Sequence, residues 1–209
     1  MRLPRYPAEK ASGVLLFVGS VQFLLGLVVA EEVYPDYRIS QTISSLGRPG
    51  PSALIFNSSL FLEGVLVLVA AYFLQKAYRN VLATAFFALG AVGAMGAALF
   101  PEDVYNIHLA ISIVSFFAAG LTPFVTLPLQ RSPFKYLSIS LGTLSFAAAA
   151  VLAIPQAFYS LGLPYGGVER IVAYPTLLWA IGFGTQIMNR NSESRTSDHS
   201  LARGGNGTR

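Results

Sequence analysis

The sequence predicts an all-α integral membrane protein, a bundle of six transmembrane helices with both termini in the cytoplasm. Three observations point there: six long, nearly uncharged stretches, short connections between them that alternate basic and acidic, and a composition that is 54% hydrophobic and only 11% charged. The stretches are roughly residues 11–30, 53–75, 81–100, 108–130, 137–158 and 171–189, each long enough to cross a hydrocarbon core at about 1.5 Å per residue. Glu63 is the one charge inside a stretch.

The basic residues set the expected orientation. Arg2, Arg5, Lys10, Lys76, Arg79, Arg131, Lys135, Arg190, Arg195, Arg203 and Arg209, eleven of the 14, fall on one side, which the positive-inside rule makes cytoplasmic. Arg38, Arg48 and Arg170 fall on the other, beside Glu31, Glu32, Asp36, Glu102, Asp103 and Glu169. The net charge of +4 therefore reflects topology, with anionic membrane lipids as the expected neighbours of the cytoplasmic arginines, and gives no reason to expect nucleic-acid binding.

Taken in order, residues 1–10 form a short cytoplasmic N-terminus and residues 11–189 a single membrane domain. The first span is expected to be retained, because Glu31-Glu32-Val33-Tyr34-Pro35 follows it in place of a small-residue cleavage site. The loop from Tyr34 to Ser52 is the longest connection and the most polar; Ile39, Ile43 and Leu46 at i, i+4 and i+7 predict a short amphipathic helix, stopped by Gly47, at the interface or folded into the mouth of the bundle. The plain alternative is a solvated linker. On the second span, Asn57, Ser59 and Glu63 descend from the outer surface. Ionisable groups at the depth of Glu63 point to function, with a neutral hydrogen-bonding strut as the competing reading.

Gly90, Gly93 and Gly96 give the third helix a smooth face for close packing. On the fourth, His108, Ser112, Ser115, Ala119, Thr122 and Thr126 fall at helical spacing along one polar or small stripe that should face the interior. Pro123 and Pro128 should kink or end that helix and Pro155 the fifth; Gly162, Pro164, Gly166 and Gly167 are expected to form an outer loop, with Pro175 in the first turns of the sixth helix. The tail, residues 190–209, lacks apolar periodicity and reads as disordered. Glu31-Glu32-Val33-Tyr34 and Glu102-Asp103-Val104-Tyr105 are similar tetrapeptides 71 residues apart, consistent with either chance or an old duplication of helical hairpins.

Several of these residues fall in an order that resembles a known family. Ile43-Ser44-Ser45-Leu46-Gly47 after the first span, Phe56-Asn57 opening the second, Leu99-Phe100-Pro101 closing the third, His108 opening the fourth, and Gly167-Val168-Glu169-Arg170 before Trp179 resemble the prokaryotic six-helix membrane proteins grouped as domain of unknown function 998. The resemblance covers residues 11–189 and implies a fold, with no assigned activity.

Two function classes fit the residue types. In the first, Arg38, Asn57, Glu169 and Arg170, with Asp36, Ser44 and His108, line an outward-facing pocket between the first, second, fourth and sixth helices; arginine forks would hold the phosphate or carboxylate of a lipid headgroup or small polar ligand. In the second, Ser44 is a nucleophile, His108 its general base and Asp36 or Asp103 the orienting acid of a hydrolase acting on a lipid or amphiphile. Ion or solute transport is third, supported by Glu63, without the inverted repeat many transporters show. A rhomboid-like protease is excluded by the lack of a Gly-x-Ser nucleophile within a helix and of a histidine in the last span. No cysteine and one histidine within the membrane domain leave too few ligands for a zinc site, so neither metal nor cofactor is expected. The oligomeric state is left open.

Overall fold

A computed structural model of the chain describes residues 7–154, 162 and 164–204, with side chains through residue 190. Among these residues the regular structure is entirely helical. The helices are α1 (Ala8–Val33), α2 (Ala53–Tyr78), α3 (Val81–Leu99), α4 (Tyr105–Val125), α5 (Phe134–Ala153) and α6 (Tyr165–Gly204), with 3-10 turns at Ser44–Gly47 and Leu127–Leu129. All six are long and apolar enough to cross a membrane, α6 over Tyr165–Arg190, which makes this a multi-pass membrane protein.

Consecutive helices pack side by side, and α6 packs on α1 to close the six into a ring. Contacts between α4 and α6 cross its centre. Toward the α2–α3 turn the core is an aromatic stack, Phe87, Trp179 and Phe183, with ring centroids 5.1–6.2 Å apart, set among Leu16, Leu74 and Ile187. Trp179 is a poor membrane-core residue unless its N–H is bonded, and it donates to Ser138 Oγ at 3.0 Å. Leu25, Val28, Leu54, Val81 and Leu82 remain exposed on the outside of the ring, where a lipid face needs apolar side chains.

The glycine face of α3 packs on α4. A Cβ at Gly93 would stand 2.5 Å from Ser115 Cβ, so only glycine permits this approach, and Ser115 Oγ donates to the Gly90 carbonyl at 3.0 Å. The α4 stripe faces inward as its spacing requires: His108, Ser112, Ser115, Thr122 and Thr126 are all buried.

Both ends of α6 differ from the sequence reading, while α4 ends beside its prolines as expected. Pro123 is accommodated in the last turns of α4, which gives way at Thr126 to the 3-10 turn containing Pro128. α6 starts at Tyr165 instead of near 171, so Gly166, Gly167, Glu169 and Arg170 are helical and Pro175 lies in the third turn. The charges that marked a loop find partners in the 34–52 loop and, for Arg170, in Glu31 of α1, described below. At its far end the helix continues to Gly204, where disorder from residue 190 was expected; no Gly or Pro interrupts the sequence between Gly184 and Gly204, and propagating an existing helix is easier than nucleating one. Pro155, expected to end α5, falls outside the described residues; α5 ends at Ala153. The two similar tetrapeptides sit in unlike structure, one finishing α1 and the other spanning the α3–α4 connection into Tyr105.

Candidate functional site at the loop end of the bundle

The 34–52 loop is neither an amphipathic helix nor a solvated linker. It folds back over one end of the ring as a series of turns with a single 3-10 turn, burying Ile43 and Leu46 against Phe23, Leu27 and Phe56. Ile39, the third member of the predicted stripe, is 75% exposed, so the helical spacing is not used. The loop is bonded to itself and to α2: Tyr37 Oη donates to the Thr42 carbonyl at 3.1 Å, Ser52 Oγ to Leu46 O at 2.7 Å, and Asn57 Nδ2 to Gly47 O at 2.9 Å.

Two adjacent residues of α6 clamp it from below. Glu169 Oε2 accepts from the Ile43 N–H at 2.6 Å, and Oε1 accepts from Ser44 Oγ at 2.6 Å and the Ser44 N–H at 3.3 Å. Arg170 donates through Nη1 to the carbonyls of Ile39, Gln41 and Gly166 at 2.9–3.0 Å, and through Nη2 to Glu31 Oε1 at 2.7 Å and Tyr37 Oη at 2.5 Å. Burial pushes the Tyr37 phenol up to about 12, the Arg170 contact opposing the shift, so the ring keeps its proton and passes a hydrogen bond from Arg170 to the loop. Gly166 is obligatory here: the Gln41 carbonyl lies where its Cβ would be.

Beside this clamp is a cavity of about 260 Å³, walled by Thr42 and Ser44 of the loop, Glu102 of the α3–α4 connection, Tyr105, His108, Ser112 and Phe116 of α4, Leu152 of α5, and Tyr165 and Glu169 of α6. Thr42 Oγ1 donates to Glu102 at 3.0 Å. His108 Nδ1 donates to the Phe100 carbonyl at 2.8 Å; a carbonyl only accepts, so in the neutral ring Nε2 carries the lone pair. A second cavity, about 140 Å³, lies in the middle of the bundle among Phe23, Leu60, Phe87, Ser115, Ala119, Thr122 and Trp179. Glu63 lines it. Its Oε1 accepts from Ser20 at 3.1 Å, while the buried Oε2 has no hydrogen-bond partner among the described residues and rests against Gly19.

Of the sequence candidates, Ser44, His108 and Glu169 share the loop-end cavity. The others are elsewhere. Arg170 is spent on the clamp, Asn57 holds Gly47 from the α2 side, and Asp36 and Arg38 are exposed on the loop's outer turn, Asp36 with a left-handed φ of 57°. No hydrogen bond joins Ser44, His108 and Asp36 among the described residues; the Ser44 hydroxyl is given to Glu169. The walls are α4, α5 and α6 with the loop, and not the first and second helices as expected, because Arg170 and Glu31 knit α1 to α6 and close that side. Glu31, Tyr37, Thr42 and Glu102 were not singled out as site residues; each is an ordinary loop or helix-end residue until the chain closes around it. Ser112 was legible through the α4 stripe.

The family model described as "Protein of unknown function (DUF998)" matches residues 17–186. No curated protein and no solved structure matches the chain. The matched segment takes in the loop, the clamp, the loop-end cavity and all of the central cavity's lining but Leu16, and the chain belongs to the DUF998 family.

Proposed function

We propose that this protein binds a small polar or amphiphilic ligand in the loop-end cavity, which faces outward. The observation that carries the reading is the cavity itself, polar at the loop and apolar toward the bundle centre, where Leu109, Ile113, Phe116 and Leu152 line it. The clamp supports it by holding one wall rigid, and preorganised walls lower the cost of binding. The arginine-fork chemistry expected from the sequence has no donors here, since Arg38 and Arg170 lie outside the wall. Native mass spectrometry of detergent-extracted protein should show a retained amphiphile that Ser112→Phe, which fills the cavity, releases. An unchanged adduct pattern would defeat the proposal.

The outward orientation rests on the basic residues at the opposite end. Arg48→Cys and Val104→Cys should label with an impermeant thiol reagent in sealed cells, and Tyr78→Cys and Ser132→Cys should not. Labelling at position 78 reverses the orientation.

Hydrolysis is the second reading, favoured by Ser44 and His108 lining one cavity. Ser44, now bonded to Glu169, would after rotation about χ1 give its proton to His108 and attack an ester carbonyl; the ester C–O bond breaks, His108 returns the proton to the departing alcohol, and water then cleaves the acyl-serine. Turnover abolished alike by Ser44→Ala and His108→Ala would establish it, whereas graded losses in binding alone belong to the first reading.

A further inference from the structure

The hydrogen-bonding inventory of the loop-end cavity is one-sided. Among the described residues, Glu102 and Glu169 line it and no Lys or Arg does. The hydroxyl protons of Thr42 and Ser44 are already given to those two carboxylates. Two groups in the wall are more than nine-tenths buried and uncommitted. His108 has its Nδ1 on the Phe100 carbonyl and no partner at Nε2, and the Ser112 hydroxyl, one turn further down the same face, has no partner among the described residues. The buried free valences are therefore an acceptor at His108 Nε2 and the Ser112 hydroxyl, which can do either, as can the exposed Tyr105 phenol at the rim. A protonated amine, all donors and positively charged, is their complement, and the aromatic residues Tyr105 and Phe116 line the same cavity.

The cavity also shares a wall residue with the central one. Phe116 is common to the walls of the loop-end and central cavities, and the α4 stripe runs from His108 and Ser112 in the first to Ser115, Ala119 and Thr122 in the second. From Glu169 to Trp179 along α6 is ten residues, about 15 Å of helix rise. The central cavity is lined chiefly by apolar side chains. We infer that the ligand is a single-chain amphiphile with a protonated amine head, the head held between Glu102, His108 and Ser112 and the chain passing Phe116 into the central cavity beside Trp179.

This rests on the loop-end cavity being a ligand site. Trp179 is the chain's one tryptophan and lines the central cavity, so its fluorescence reports arrival of a chain end there. Purified protein in an uncharged maltoside detergent is titrated with ω-bromododecylammonium and, separately, with ω-bromododecyl sulfate, which carries the same chain on an anionic head. Saturable quenching by the ammonium compound, relieved by unbrominated dodecylammonium and at least about tenfold weaker for the sulfate, is expected; Glu102→Gln, at a partly exposed position, should weaken the ammonium response about tenfold, the loss of one charged hydrogen bond. Equal saturable quenching by both heads, abolished by Ser112→Phe, would overturn the amine assignment and leave amphiphile binding standing. Quenching by neither, or quenching that neither unbrominated dodecylammonium nor Ser112→Phe removes, would overturn both.

Discussion

Two buried glutamates, Glu169 and Glu63, sit in the same ring of helices and are treated oppositely. Glu169 accepts three hydrogen bonds from the loop it clamps, and its neighbour Arg170 makes five more. Glu63 accepts one, from Ser20, and leaves an oxygen buried and unused against Gly19. A buried carboxyl that anchors structure is surrounded by fixed donors, because each unmade bond in a water-poor interior is costly. One with a spare acceptor at a cavity wall has capacity for something that comes and goes. The loop end is thus built as a rigid collar, and the centre as a space.

The largest test of that contrast is Arg170→Met. It removes a charge whose partners are three carbonyls, a tyrosine and Glu31, and breaking a buried pair from one side costs about 3–5 kcal/mol. Thermal unfolding in detergent should show a large loss, and Glu31→Gln a smaller one, since Glu31 is 29% exposed. A melting temperature unchanged by Arg170→Met would mean the collar does not hold the fold together.

Glu169→Gln should cost less, about 1–3 kcal/mol, because the amide keeps one acceptor but turns a donor toward the Ile43 N–H or the Ser44 hydroxyl. The loss should be local. Hydrogen exchange at the amides of Ile43, Ser44 and Ser45 should accelerate well before that of α2 or α3. Uniform acceleration across the bundle would remove the distinction between collar and scaffold.

What the sequence exposed and what it concealed divide along the same line. The six spans were legible because hydropathy over about twenty residues is a local property, and so was the α4 stripe, which needs only helical spacing. The loop's return to the bundle was half visible: Ile43 and Leu46 are buried as apolar residues should be, but Ile39 made the spacing look helical when the backbone turns instead. Glu169 and Arg170 were read as belonging to a connection because adjacent charges lower hydropathy, and nothing local reveals that Ile43, Ser44, Gln41, Tyr37 and Glu31 will neutralise them from more than 120 residues away. The candidate triad failed to form a relay for the same reason. Residue types were right for the chemistry, but Asp36 lies on an exposed turn while Ser44 bonds an acid from α6.

The smallest expected effect is at Glu63, and it sharpens the comparison most. Glu63→Gln keeps an acceptor for Ser20 and replaces an oxygen that bonds nothing, so stability should change by less than about 1 kcal/mol. Gly19 allows the substitution sterically, since Gln has the size of Glu and the space beside Oε2 is already shaped to it. A loss as large as that of Glu169→Gln would show that Glu63 is a strut, and the contrast between the two acids would collapse. A silent effect on stability leaves one question, which the same variant answers. If the central cavity admits a proton or a cation as well as a chain, binding or transport measured across a range of pH should lose its pH dependence in Glu63→Gln while the protein stays folded. If Glu63 only packs beside the cavity, the pH profile of the variant should overlay that of the wild type, and the spare oxygen would then be a tolerated cost of bringing α2 against the glycine of α1.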